Sequence, residues 1–169
     1  MSMVLEEKNE LEREEPSRNA TQRIALSAVY DILLAIDMGN PVDVEAILCG
    51  LTDSPYEDVD PFLKSVAIML IKNYATIVDA FNAHMSHWTF DRLNFVVRAI
   101  LCLAYVHYCY VEPDTDRGVV INIAVKFAKT YCEVKDYRFV NAILDNTLPK
   151  REKEDDPSYL PEDDDSDYE

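Results

Sequence analysis

Near its C-terminus the chain reads Gly118-Val119-Val120-Ile121-Asn122-Ile123-Ala124-Val125-Lys126-Phe127-Ala128-Lys129-Thr130-Tyr131. After a short polar turn it continues Tyr137-Arg138-Phe139-Val140-Asn141-Ala142-Ile143-Leu144-Asp145. Asn122, Lys126 and Lys129 follow i, i+4, i+7 and form one polar stripe, which leaves the other faces of the first segment for burial. Two amphipathic helices joined by a tight turn are the economical reading, with expected spans near 115–131 and 136–147.

Working back from this pair, the same period recurs. Phe90 to Tyr110 is apolar nearly all round, which suits a helix at the centre of a core, and Glu112-Pro113-Asp114-Thr115-Asp116 breaks it. Before it, Asp60-Pro61 reads as an N-cap and first-turn proline. Leu63, Val66, Ala67, Leu70, Tyr74, Ile77 and Phe81 then mark a long amphipathic helix. A short helix is expected around Val42–Leu51, stopped by Thr52-Asp53-Ser54-Pro55. The first helix starts near Arg18 behind a capping Ser17, buries Ile24, Ala28, Ile32 and Ala35, and ends at Gly39-Asn40-Pro41. No period-2 alternation competes with these patterns. The expected fold is all-α: two small helical bundles packed around a central hydrophobic helix.

Composition agrees. Only 3 of 169 residues are glycine and 49% are hydrophobic, which disfavours a turn-rich β fold. A chain of this length buries roughly 70% of its unfolded surface, enough for one domain without metal or disulfide. Cys49, Cys102, Cys109 and Cys132 form no C-x-x-C pair, and the last three sit among apolar residues, as small hydrophobes do in a reducing cytoplasm. The start is acidic rather than basic and apolar, unlike a secretory signal. The most apolar stretch, Phe95 to Val111, is interrupted by Arg98 and His107 and is slightly short for a bilayer span. A cytoplasmic protein with no membrane segment is expected.

The net charge of −16 is unevenly placed. Residues 1–17 carry −4 and residues 150–169 carry −7, leaving −5 on residues 18–149. The expected organisation is an acidic, disordered N-terminal segment over 1–17, a helical domain over 18–149, and an acidic disordered tail over 150–169.

Enzyme chemistry finds no footing. There is no G-x-x-x-x-G-K-[ST], G-x-G-x-x-G or G-x-S-x-G, and the carboxylates cluster in polar ends where no pocket shifts their pKa. His84 and His87 lack the further ligands that zinc needs. No enzyme activity and no cofactor are expected. What remains is the cluster Tyr131, Lys135, Tyr137, Arg138 and Phe139, aromatic and basic within nine residues. Cations for phosphates and flat rings for unpaired bases are what single-stranded RNA requires.

Those same residues carry a resemblance. VVIN-x-AV-x-x-AK (119–129) followed by RFVN-x-x-LD (138–145) is similar to the C-terminal helices of the NusB family of RNA-binding antitermination factors. Trp88 with Arg92-Leu93 and Arg98-Ala99-Ile100-Leu101, and Ile24 to Tyr30, resemble two further blocks of that family in the same order. The resemblance implies a helical NusB-like domain. It further implies joint binding of boxA-like single-stranded RNA with the ribosomal protein NusE, within a transcription elongation complex, to support ribosomal RNA transcription.

Carried over by position, the RNA-binding residues would be Arg18, Asn19, Gln22, Arg23 and Tyr30 from the first helix. Tyr131, Lys135, Arg138 and Phe139 would come from the turn before the last helix. Where the family carries several arginines at the start of the first helix, this chain keeps Arg18 in register and has Gln22. Ile123 stands for the usual Glu of INEA, and Ala142 for the Gly of FVNG. Fewer cations on phosphates mean lower affinity and a weaker salt dependence, so weak RNA binding by the protein alone is expected. Asn122 and Asn141 suit either RNA contacts or buried helix-start roles. An acidic body favours a basic protein partner. The run Glu162–Asp165 suits a solubilising tail or one that folds over Arg18, Arg23 and Lys135. The alternatives are a protein-interaction adaptor with RNA binding weakened or absent, and an in-trans RNA-binding partner for rRNA modification.

Overall fold

The computed structural model describes residues 17–151. The expectations for the acidic N-terminal segment and the acidic tail therefore lie outside the described residues, apart from Ser17, Lys150 and Arg151. Within them the chain is all-helical, with six α-helices and no strand.

α1 spans Arg18–Asp37, and Ser17 Oγ accepts from the Ala20 N–H at 3.3 Å. Its end is closed by Gly39, whose φ of 69° is open to glycine at little cost. The Gly39 N–H donates to Ile36 O at 3.1 Å and the Asn40 N–H to Ala35 O at 2.9 Å, the paired closure that satisfies the last carbonyls. α2 spans Val44–Thr52 behind an Asp43 cap, and α3 spans Pro61–Asn82 with Asp60 accepting from the Phe62 N–H at 2.8 Å. α3 is long and apolar enough to cross a membrane by length and composition, yet Leu63, Val66, Leu70, Ile77 and Phe81 are buried in the core.

The central helix departs from expectation at its start. Phe90–Arg92 forms a separate 3-10 turn, Leu93 is extended, and α4 runs Phe95–Val106. The cause is local. The Phe90 N–H donates to Asn82 Oδ1 at 2.8 Å and its ring stacks on Phe81 at 5.8 Å, while Asn94 caps α4 by accepting from the Val96 N–H at 2.9 Å. At its other end α4 widens into a π turn, His107–Val111, closed by the Glu112 N–H donating to His107 O at 2.9 Å.

α5 spans Arg117–Tyr131 and α6 spans Val134–Thr147, joined by Cys132 and Glu133. Glu133 and Asp136 form a reciprocal capping box, so α6 starts two residues before the expected position. α4 packs against α1, α3, α5 and α6, so the groups α1–α3 and α4–α6 meet on it as the sequence suggests. Cys102 is fully buried there, and burial pushes its thiol well above the ordinary value, as for a packing residue. Asn122 and Asn141 are both exposed, which removes a buried capping role for either.

The end of α6 and the residues just after it are fastened by two arginines. Arg117 is buried; its Nε donates to Leu148 O at 3.3 Å, its Nη1 to Asp145 Oδ1 at 3.0 Å, and its Nη2 to Asp145 O. Arg151 Cζ sits over the Tyr108 ring, 3.8 Å from its centroid, and the guanidinium donates to Tyr108 O at 2.8 Å and Thr115 O at 3.0 Å. Carbonyls left unpaired at helix ends thus find guanidinium donors.

Candidate nucleic-acid interface

One face of α1 presents Arg23, Leu26, Ser27, Tyr30 and Asp31, at i, i+3, i+4, i+7 and i+8. Together with Leu51 of α2, Val96 and Ala99 of α4, and Tyr131 at the end of α5, they line an open groove of about 510 Å³. Tyr30 meets Phe95 edge-on at 6.1 Å, which holds its ring against the floor. Tyr131 stacks on Phe127 at 6.3 Å and is 52% exposed. Arg23 is exposed and makes no ion pair among the described residues, and Asn19 lies one turn before it. Two rings, an apolar floor and a cation at the rim suit an unpaired base and its phosphate.

Arg18 and Gln22 are not part of that groove. Five residues turn a helix by about 140° beyond one full turn, so Arg18 and Arg23 point to different faces. Arg18 lines a recess of about 310 Å³ with Thr21, Gln22, Asp60, Phe62 and Glu112. Its guanidinium Nη2 pairs with Glu112 Oε2 at 3.5 Å. Gln22 is only 5% exposed, and its amide oxygen has no hydrogen-bond partner among the described residues. It is therefore a packing position more than a surface contact.

Glu112 also takes a hydrogen bond from His107 Nε2 at 2.7 Å and one from Thr115 Oγ1 at 3.3 Å. His107 is buried edge-on against Phe62, and burial lowers its pKa against the opposing pull of Glu112. Partial burial works to raise the Glu112 carboxyl. The hydrogen bond and charge of His107, with Arg18 and Thr115, outweigh it and hold Glu112 below its ordinary value.

At the second expected site only Tyr131 reaches the groove. Lys135 is exposed and pairs with Glu133 at 3.4 Å; Arg138 is exposed one turn further along α6. Phe139 is half-buried and packed on the core, which leaves less of its face for stacking. Lys129 covers the Tyr137 ring at 5.2 Å. Ile123 is half-buried beside Gln22, in a cavity of about 10 Å³, so an apolar residue suits the place where the family has Glu.

Sequence reasoning missed Glu112, which sits 94 residues from the arginine it holds. It also missed the groove floor of Leu26, Ser27 and Val96. The i, i+7 spacing of Arg23 and Tyr30 was the available signal for the groove; nothing local marked Glu112.

The NusB family profile matches residues 19–149. The chain is 29% identical over 138 residues to the transcription antitermination protein NusB of Finegoldia magna, covering 80% of this chain and 96% of that one. It is 30% identical over 129 residues to the protein of the same name from Bacillus thuringiensis, covering 76% and 94%. Among solved structures, T. maritima NusB superposes with a TM-score of 0.66 at 26% identity, over 79% of this chain and 92% of that one. With profile, relatives and architecture in agreement, the chain belongs to the NusB family, whose curated relatives are transcription antitermination proteins.

Proposed function

We propose that this protein is a non-enzymatic RNA-binding antitermination factor of the cytoplasm. It joins the ribosomal protein NusE on boxA-like single-stranded RNA in the elongation complex and supports ribosomal RNA transcription. The observation that carries this reading is the groove in which Arg23, Tyr30 and Tyr131, from two distant parts of the chain, share one surface. A base stacks on Tyr131, and Arg23 takes its phosphate. Asn19, one turn before Arg23, and Lys135 and Arg138, exposed on α6, are further contacts for the RNA beyond the groove lining.

Few cations face the groove, so RNA binding by the protein alone is weak and the composite surface with NusE supplies the affinity. The test is a titration of labelled boxA-type RNA with the protein, with NusE from the same organism, and with both together, at two salt concentrations. Tighter binding by the pair than by either component supports the proposal. A stable pair that binds RNA no better than NusE alone sinks it. That outcome favours a protein-only adaptor, the second reading, which the pairing of Arg18 with Glu112 supports.

A further inference from the structure

We propose that the acidic segment following Arg151 docks back into the Arg23–Tyr30–Tyr131 groove and occupies it until RNA displaces it. This inference rests on the groove being the RNA-binding surface. Three observations lead to it.

The first is where the segment begins. Arg151 is not a loose end: its guanidinium sits over the Tyr108 ring and is bonded to the carbonyls of Tyr108 and Thr115. Thr115 donates to Glu112, and Glu112 pairs with Arg18 at the start of α1. The segment therefore begins three linked contacts from the first turn of α1, on the Arg18 face of that helix rather than on its groove face.

The second is reach. From Arg18 to Tyr30, α1 covers about 18 Å at 1.5 Å per residue. Tyr159 follows Arg151 by eight residues, and eight extended residues span at most about 26–29 Å. The eighteen residues after Arg151 exceed the length of the whole groove wall and leave enough chain to round α1, which is about 10–12 Å across.

The third is chemistry. The segment 152–169 holds ten acidic residues and one lysine, and it places Tyr159-Leu160 ahead of the run Glu162-Asp163-Asp164-Asp165. A ring followed by closely spaced carboxylates presents the same features as a base followed by phosphates. The groove offers Tyr30, Tyr131 and Leu26 for Tyr159 and Leu160, and the Arg23 guanidinium for a carboxylate; Asp31 lines it too, so the apolar anchor carries the docking and charge adds to it at Arg23 alone. Because the segment is tethered, it competes at a high effective concentration although each contact is weak.

The test keeps the full chain and compares it with two variants. One removes charge by Glu162→Gln, Asp163→Asn, Asp164→Asn and Asp165→Asn. The other removes the apolar anchor by Tyr159→Ser and Leu160→Ser. Backbone amide spectra without RNA report docking directly, and titration with boxA-type RNA reports competition. Docking predicts that the amides of Arg23, Tyr30 and Tyr131 shift in both variants. It also predicts RNA binding roughly tenfold tighter at about 50 mM salt, a difference that shrinks by about 200 mM. Unchanged amides in both variants overturn the proposal, including when the charge variant alone binds RNA tighter, because distant repulsion explains that result. Shifted amides with no RNA binding by any chain leave docking standing and overturn the RNA reading instead.

Discussion

A single carboxylate oxygen, Glu112 Oε2, holds both His107 and Arg18: it accepts from His107 Nε2 at 2.7 Å and pairs with Arg18 Nη2 at 3.5 Å. One contact faces the core and the other faces solvent. The pair ties the α4 π turn to the first turn of α1 and sets how free the Arg18 charge is for other anions.

Glu112→Gln should release that charge without breaking the fold. The amide oxygen still accepts from His107, whereas the Arg18 pair, largely exposed, is worth at most about 1 kcal/mol. RNA binding should tighten severalfold at low salt, and its log–log salt slope should steepen by about 0.7 for one added phosphate contact on a single strand. Fluorescence anisotropy at several salt concentrations checks this. An unchanged slope means that Arg18 meets no phosphate.

The same pair makes the fold acid-sensitive. His107 has its pKa lowered from 6.5 by burial, so in acid the unfolded chain takes up a proton that the folded chain refuses. The stability this group contributes is complete above pH 6.5 and falls away as the pH drops from 6.5 through the lowered folded value. Glu112, also lowered, contributes stability that is complete above 4.5 and is lost as the pH falls through its own folded value. Denaturant midpoints measured from pH 7.5 to 4 should decline, and His107→Phe should flatten the upper part of that decline. A midpoint constant down to about pH 5 refutes the assignment.

How much of this was legible follows the range of the forces. Ser17, Asp60 and Gly39 act on neighbours within four residues, so caps and stops could be read directly. The start of α4 could not, because Phe90 is held out of the helix by Asn82 from the preceding helix. The groove was half legible. Arg23 and Tyr30 share a helix face by spacing alone, but the arrival of Tyr131 depends on how α5 packs across α4. The aromatic-and-basic cluster and the resemblance both supplied Tyr131 as a candidate, while the separation of Arg18 from Arg23 emerges only once α1 is seated. Gln22 stands in register with an RNA-binding position of the family, and packing turns it inward.

Arg117 should be among the costliest polar residues to remove. Its three hydrogen bonds hold the C-terminal turn of α6, and truncation leaves two main-chain carbonyls and the Asp145 carboxylate short of donors. Arg117→Met should cost about 2–4 kcal/mol in urea unfolding. Arg117→Lys should recover only part of that, since an ammonium cannot reproduce the planar fork. Full stability in the lysine variant would show that charge alone is sufficient there.

Tyr131 and Phe139 came from the same short segment with the same expected role, and the structure divides them. Tyr131 is 52% exposed at the groove, whereas Phe139 is half-buried against the core. Tyr131→Ala should therefore leave stability within about 0.5 kcal/mol of the parent. It should still weaken RNA binding by about 1–3 kcal/mol, the usual effect of removing a stacking ring. Phe139→Ala should do the reverse. It should lower stability by roughly 1–3 kcal/mol, less than a fully buried ring would because part of its surface is already wet. Measured below its unfolding transition, its RNA affinity should stay close to the parent. An equal fall in RNA affinity in both variants would place the stacking surface across the α5–α6 turn rather than in the α1 groove.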